Sequence, residues 1–296
     1  MGRKMTFSIV IPFYSNKSVL SNLLDSIERT GCSGTEVIVV CDGNEEPDYH
    51  GSAIDLCIIK NEKNLGYGLS ANKGAASARN EWICISNSDI VLPADFFPAL
   101  RREISRNPYA DVLQPALYDA GSVFDPFSKR RLPRKYDFLL MPFYYYMSHY
   151  GGLFYGTKYS EPIECGKGAF IVIKRSVFLE AGGFSSDYRM FWEDVDLFAK
   201  LRAHGHRAVF LKRPSVTHLG GATVNAMRIR SNMDELASRA KYFEKWHRVP
   251  RRAVYLAEIA GSILKFIFSL LLFKRSSFIF YPVFISKALK ATFGRP

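Results

Sequence analysis

The chain has 296 residues, 48% hydrophobic and 23% charged, which is enough apolar mass for one large domain or two small ones and excludes a disordered polymer. Its net charge of +12 is concentrated: residues 245–296 hold ten Lys or Arg and one acidic residue, Glu258, and the rest is close to neutral. Basic residues that flank apolar runs favour an anionic membrane surface and argue against a nucleic-acid partner.

The N-terminus shows no apolar core or cleavage site of a signal peptide, and runs directly into a strand. Phe7 to Tyr14 (FSIVIPFY) is an apolar, β-branched run. Lys17 to Arg29 places Val19, Leu20, Leu23, Leu24 and Ile27 on one helical face. Glu36 to Cys41 reads as a second buried strand, Ala53 to Ile59 as a weaker third, Leu69 to Arg79 as an Ala-rich helix and Trp82 to Ser86 as a fourth strand. Continuous apolar strands separated by helices predict a parallel sheet covered on both faces. Ligands of such sheets bind beyond the carboxyl ends of the strands, where Tyr14, Ser15, Asp42, Asn87 and Asp89 fall. A helix follows Pro93 to about Arg106. Residues 120–162 read as irregular, with an aromatic cluster from Phe143 to Tyr150 that serves either loop packing or an acceptor or membrane face. Then come a strand (Gly168 to Lys174), a short helix (Arg175 to Ala181), a helix (Asp194 to Gly205), a strand (Ala208 to Leu211) and a charged helix (Met233 to His247). The cysteines Cys32, Cys41, Cys57, Cys84 and Cys165 are scattered, without a CxxC, as expected of buried thiols in a reducing compartment.

Ala253 to Phe273 is long enough to span a bilayer, but Glu258 and Lys265 interrupt it. Phe278 to Leu289 is short for a span and carries Pro282. Length and charge together favour a pair of helices lying in the membrane interface over true insertion or a soluble packing surface.

Four clusters carry candidate chemistry. Asn87-Ser88-Asp89 follows a strand, where a carboxylate binds a hard divalent cation or caps a turn. Trp192-Glu193-Asp194-Val195-Asp196 crowds three carboxylates into four positions. A helix dipole accounts for one or two of them, and one is placed to act as a general base. His218 precedes Gly220-Gly221 and is a candidate contact for a metal-bound phosphate. Asn64-Leu65-Gly66 and Asn72-Lys73-Gly74 allow tight turns, but neither a P-loop nor a GxGxxG signature is present.

The segments SIVIPFYSN, EVIVVCDGN, NLGYGLSANKG, ISNSDIVLP, GAFIVIKRSVFLEAGGF, MFWEDVDL and VTHLGGAT occur in order across roughly residues 6–247. Together they resemble the inverting family 2 glycosyltransferases, particularly those building rhamnose- or galactose-containing bacterial surface polysaccharides. That resemblance implies an α/β GT-A fold: a mostly parallel, Rossmann-like sheet flanked by helices. Residues 1–115 would form its nucleotide-binding half, 116–247 its acceptor half, and 248–296 a basic, apolar helical tail at the membrane. It implies that Pro12, Phe13, Tyr14, Asp42, Asn64, Gly66 and Asn72, with Asn87 and Ser88, line the donor site. Asp89 and His218 would hold Mg²⁺ or Mn²⁺ on the diphosphate. Asp194 would be the catalytic base, with Gly168, Trp192, Glu193 and Asp196 on the acceptor and loop side. The donor would be a nucleoside-diphosphate sugar, with UDP or dTDP favoured, and the acceptor a lipid-linked glycan at the cytoplasmic face of the inner membrane; an oligomer is left open.

Three positions depart from the family pattern. The DD pair after the second strand is Cys41-Asp42, the DXD begins with Asn87, and GGFDE reads Gly182-Gly183-Phe184-Ser185-Ser186. These changes permit a rival reading as a non-catalytic scaffold of a polysaccharide assembly complex. A nucleotidyltransferase is a further rival, but the loop after the first strand, YSNKS, lacks the glycine-rich basic sequence such enzymes carry.

Overall fold

The computed structural model describes residues 5–31, 34–43, 45–49, 54–143, 160–220, 228–271 and 275–293. Cys32, the aromatic residues at 144–150 and Gly221 lie outside them. The chain divides into two compact units. The first is Met1–Leu132, Gly156–Ser186 and Glu193–Gly220; the second is Pro133–Tyr155, Asp187–Trp192 and Gly221–Pro296.

The first unit holds a sheet of nine strands among the described residues. β1 (Phe7–Phe13), β2 (Glu36–Cys41) and β4 (Trp82–Ser86) are buried along their whole length, as continuous apolar runs require of strands covered on both faces. β1 pairs in parallel with β2 and with β4, and β3 (Asp55–Lys60) adds a parallel edge to β2. Helix α1 (Lys17–Arg29) starts at Asn16, whose side chain accepts from the Val19 N–H, and buries Leu20, Leu23, Leu24 and Ile27. Helix α2 (Tyr67–Ser77) and helix α3 (Phe96–Arg106) complete this half. Phe96 and Phe97 of α3 are fully buried, the Phe97 ring 5.2 Å from that of Phe7 and the Phe96 ring 5.4 Å from that of Phe170, and each such side chain stabilises the fold by about 1.5–3 kcal/mol.

Three strands lie beyond the sequence expectation: β5 (Ile90–Val91), β6 (Val112–Tyr118) and β7 (Ser160–Ile163). The last two strands, β8 (Phe170–Lys174) and β9 (Ala208–His218), complete the order β3-β2-β1-β4-β8-β6-β9-β5, with β7 paired to β9. β9 is longer than the apolar run Ala208 to Leu211 because Lys212 and Arg213 point to solvent without ending the ladder. β8 runs antiparallel to both β4 and β6, which brings its start beside the carboxyl end of β4. Helices α4 (Arg175–Glu180) and α5 (Glu193–Ala203) also belong to this unit.

The second unit is built on α6 (Arg228–His247), α7 (Arg251–Leu271) and α8 (Arg275–Phe293). Phe138 packs edge-on against Phe243 of α6, and Trp192 lies 5.1 Å from Tyr242. The charges that interrupt the apolar run of α7 are paired. Arg239 of α6 donates to Glu258 at 2.6 Å, and Lys265 lies 3.3 Å from the same carboxylate. By length and composition the stretch Arg251–Leu270 suffices to cross a membrane, with a mean hydropathy of 1.6.

Candidate active site

Short strand β5 determines the first half of the site. It pairs antiparallel with the end of β9, Ile90 opposite His218, and Leu219 N–H donates to the Asp89 carbonyl at 2.9 Å. This pairing joins two residues 129 positions apart: His218 Nε2 sits 3.2 Å from Asp89 Oδ1. The contact is at ion-pair distance, and beside it Asp89 Oδ1 is buried with no further hydrogen-bond partner among the described residues. Asn87 Nδ2 lies 3.4 Å from the same imidazole nitrogen, which therefore faces an amide and a carboxylate at once. Burial raises the Asp89 carboxyl, but His218 and the backbone N–H groups of Asp89 and Gly220 outweigh it and hold the group below the usual carboxylate range. A single carboxylate and one imidazole, one oxygen of the former unsatisfied, suit a hard divalent cation that draws its other ligands from phosphate and water. Among the described residues no group of three or more His, Cys, Asp and Glu forms a metal cage.

The second half is organised by the entry to β8. Asn87 N–H donates to the Ala169 carbonyl at 2.8 Å. One residue earlier, Gly168 N–H donates to Asp194 Oδ2 at 2.9 Å, and the Gly168 carbonyl accepts from the Tyr67 hydroxyl at 2.7 Å. One backbone segment thus ties the Asn87–Asp89 turn to the acidic start of α5. Glycine keeps this approach close: a Cβ at 168 would lie 3.1 Å from the Asp194 Cβ, and the acid would have to give by a few tenths of an ångström. Asp194 is fixed by two further donors, Val195 N–H at 2.7 Å on Oδ1 and the Arg130 guanidinium at 2.7 Å on Oδ2.

Glu193 stands in a different environment from its neighbour. The residue is partly exposed, but Oε2 is buried and has no hydrogen-bond partner among the described residues. Burial, then the charge of Asp194, pushes its carboxyl up to about 8. Burial first, then Glu193, Asp194 and Asp89, drives the Tyr67 hydroxyl well above its usual value, so it remains a neutral donor. The Asn87–Ala169 and Gly168–Asp194 hydrogen bonds tie the two acidic segments, from distant parts of the chain, to consecutive residues of one strand entry.

The remaining candidates hold loops around this region. Both oxygens of buried Asp42 are engaged: Oδ1 by Asn61 Nδ2 at 2.8 Å and Leu65 N–H at 2.7 Å, and Oδ2 by Gly66 N–H at 2.7 Å. Asp42 therefore holds the backbone that leads into α2, whose first residue follows Gly66. Tyr14 and Asn64 are exposed, Ser88 is half-buried, and Pro12 and Phe13 are buried in β1. Asn72 closes two hydrogen bonds of 2.8 Å with the backbone of Phe184, and Gly183, at φ 58°, leaves room for it. Lys200 bonds the Gly183 carbonyl and lies 4.0 Å from Oδ2 of fully buried Asp196. Trp192 belongs to the second unit, where its indole N–H donates to Glu235 at 2.8 Å. Phe191 and Trp192 have φ of 64° and 66°, a left-handed pair that costs non-glycine residues on the order of 1–3 kcal/mol each.

Nothing in the sequence pattern marks Arg130 and Tyr67 as site residues. Arg130 sits in the run Lys129-Arg130-Arg131, which reads as a solvated basic loop, and Tyr67 begins an otherwise Ala- and Gly-rich helix. Only the fold reveals their partners.

The family model "Glycosyl transferase family 2" matches residues 8–178, more than half of the chain. This chain belongs to that family. N-acetylglucosaminyl-diphospho-decaprenol L-rhamnosyltransferase of Mycobacterium tuberculosis is 29% identical over 175 residues, which cover 52% of this chain and 56% of the relative. An uncharacterized glycosyltransferase of Haemophilus influenzae is 24% identical over 66% of this chain and 61% of the relative. Glucosyl-dolichyl phosphate glucuronosyltransferase of Haloferax volcanii is 26% identical over 62% and 57%. The chain thus spans about six tenths of the length of each of these three relatives. Among solved structures, S. aureus TarS 1–349 aligns with TM-score 0.53 at 13% identity, over 98% of this chain and 92% of that one. GalNAc-T7 with UDP, GalNAc and Mn²⁺ aligns with TM-score 0.52 at 15% identity, over 72% and 44%. These likenesses establish the GT-A fold.

Proposed function

We propose that the chain transfers a sugar from a nucleoside-diphosphate sugar to a hydroxyl of a lipid-linked glycan, with inversion at the anomeric carbon. The observation that carries this reading is the Gly168–Ala169 segment, which hydrogen-bonds Asp194 on one side and the Asn87–Asp89 turn on the other. A diphosphate leaves readily only when its charge is neutralised. Asp89 and His218 are the residues that would hold Mg²⁺ or Mn²⁺, which supplies that neutralisation when bound. Asp194, fixed by Gly168, Val195 and Arg130, is placed to take the proton of the attacking hydroxyl, and Tyr67 holds the Gly168 carbonyl in register. Attack in line with the departing diphosphate inverts the configuration. Asp42 and Asn72 keep the loops at 61–66 and 182–184 in shape around the donor.

The nucleotide is UDP or dTDP on this reading. UDP is the nucleotide named with GalNAc-T7, and family resemblance supports either. A lipid-linked acceptor accords with the names of two relatives, which specify decaprenol and dolichyl phosphate carriers. The same acceptor gives the tail a purpose, since an enzyme held at the cytoplasmic membrane surface meets a lipid substrate in two dimensions. Exposed Leu256, Leu264, Ile267 and Phe268 recur along one face of α7, beside ten Lys or Arg in the last 52 residues.

A thermal-shift screen of nucleoside diphosphates, with and without Mn²⁺, tests the donor assignment, because a ligand of the native state alone raises apparent stability. The expected outcome is a shift for UDP or dTDP that needs the metal. No shift with any nucleoside diphosphate would overturn the reading.

A further inference from the structure

We infer that Arg130 is a positioning residue that assigns the negative charge of the Glu193-Asp194 pair to Asp194 and aims its carboxylate. The inference rests on the reading of Asp194 as the base, and goes beyond it by naming what makes one of two adjacent acids the base.

The geometry is specific. Arg130 lies outside any regular element, yet its backbone makes a two-bond bridge with Cys165, N–H to carbonyl at 3.0 Å in both directions. Its guanidinium is anchored on the Gly166 carbonyl by Nε at 3.1 Å and Nη2 at 2.9 Å. The same Nη2 reaches Asp194 Oδ2 at 2.7 Å, and the Phe127 ring lies beneath the group at 6.0 Å. A planar fork held at two points is an orienting device, which a flexible ammonium is not. The pair is mostly sheltered, with side-chain exposures of 17% for Arg130 and 13% for Asp194.

Two adjacent carboxyls in such surroundings do not both ionise cheaply. Arg130 contacts Asp194, whereas Glu193 Oε2 has no hydrogen-bond partner among the described residues. The cation is hydrogen-bonded to Asp194 and reaches Glu193 only as a weaker charge, so burial and the charge of Asp194 still hold the Glu193 carboxyl raised. Among the described residues, Tyr67 and Cys165 are titratable groups that feel the pair. Both are pushed up by burial, the thiol to about 12, so they stay neutral and do not compete for the charge.

The test compares pH profiles of kcat/KM for wild type, Arg130→Gln, Arg130→Lys, Asp194→Asn and the double variant Arg130→Gln/Glu193→Gln, with Mn²⁺-dependent nucleoside diphosphate binding measured in parallel. Arg130→Gln is expected to lower kcat by about 10²-fold, as misplacement of a reacting group does, while nucleotide binding persists. Its acid limb moves to higher pH by about one unit or more, since an opposite charge has gone. Arg130→Lys restores part of the rate and most of the limb. Removing the competing carboxyl in the double variant moves the limb back, which a merely structural role for Arg130 would not do. An acid limb unmoved in both Arg130 variants overturns the inference. If Asp194→Asn retains transfer, the base assignment itself fails; if Asp194→Asn is inactive while Arg130→Gln behaves as wild type, only the role of Arg130 fails. Should Arg130→Gln not fold, the limb of Arg130→Lys decides.

Discussion

At residue scale the pair Glu193 and Asp194 shows how two identical functional groups acquire different chemistry from their surroundings. Asp194 has three donors, while the buried oxygen of Glu193 has none among the described residues. The consequence for stability can be signed. The Glu193 carboxyl rises from about 4.3 in an unfolded chain to about 8 in the fold. The folded chain therefore keeps a proton that the unfolded chain has released, and stability is full below pH 4 and falls as pH climbs toward 8. Glu193→Gln cannot lose that proton. Its melting temperature relative to wild type should differ little at pH 5 and rise steadily to pH 8.5; a difference independent of pH would contradict the buried, protonated state. The acids themselves were legible in the sequence, because three in four positions beside a Trp exceed what a helix dipole requires. Arg130 was not, since a basic triplet in an irregular stretch carries no mark of the carbonyl and carboxylate it meets through folding.

At the scale of elements, the strands with continuous apolar runs were legible to within a residue or two: β1, β2, β4 and β8 fall where their patterns place them. The strands missed have physical reasons. β6 contains Pro115, which lacks an N–H and sits at a register irregularity against β9. β5 is two residues long and exists only through its pairing with β9, so no local pattern announces it. That pairing is nevertheless what joins Asp89 to His218. The antiparallel direction of β8 was equally invisible, since direction depends on which neighbours a strand meets. The 182–184 turn is likewise held from afar, by Asn72 in α2. Asn72→Ala leaves the Phe184 N–H and carbonyl without these partners and should destabilise the fold by about 1–3 kcal/mol in urea denaturation, with weaker donor binding. Unchanged stability and donor affinity would show that the turn needs no clamp.

At the scale of the whole molecule, the first unit carries the sheet and the acids, and the second carries the apolar helices. The charges inside α7 are engaged within their own unit, Glu258 with Arg239 and Lys265, which leaves the exposed stripe of Leu264, Ile267 and Phe268 without a charge among them. Deleting the tail would strand Arg239, so substitution is the cleaner probe. Leu264→Glu/Phe268→Glu should release the chain from liposomes containing anionic lipid in a flotation assay while transfer to a soluble acceptor analogue persists. Unaltered flotation would remove the membrane role from α7.

The convergence of Asp89 and Asp194 on one sugar is tested most directly by titrating the preferred nucleoside diphosphate in Mn²⁺ into wild type, Asp89→Asn and Asp194→Asn, with transfer measured on the same preparations. Asp89→Asn should lose the metal-dependent part of binding. Asp194→Asn should bind as wild type does while turnover falls by about 10²–10⁴-fold, the range of a lost general base. Near-normal transfer by Asp194→Asn, or nucleotide binding by Asp89→Asn that still responds fully to Mn²⁺, would contradict the account.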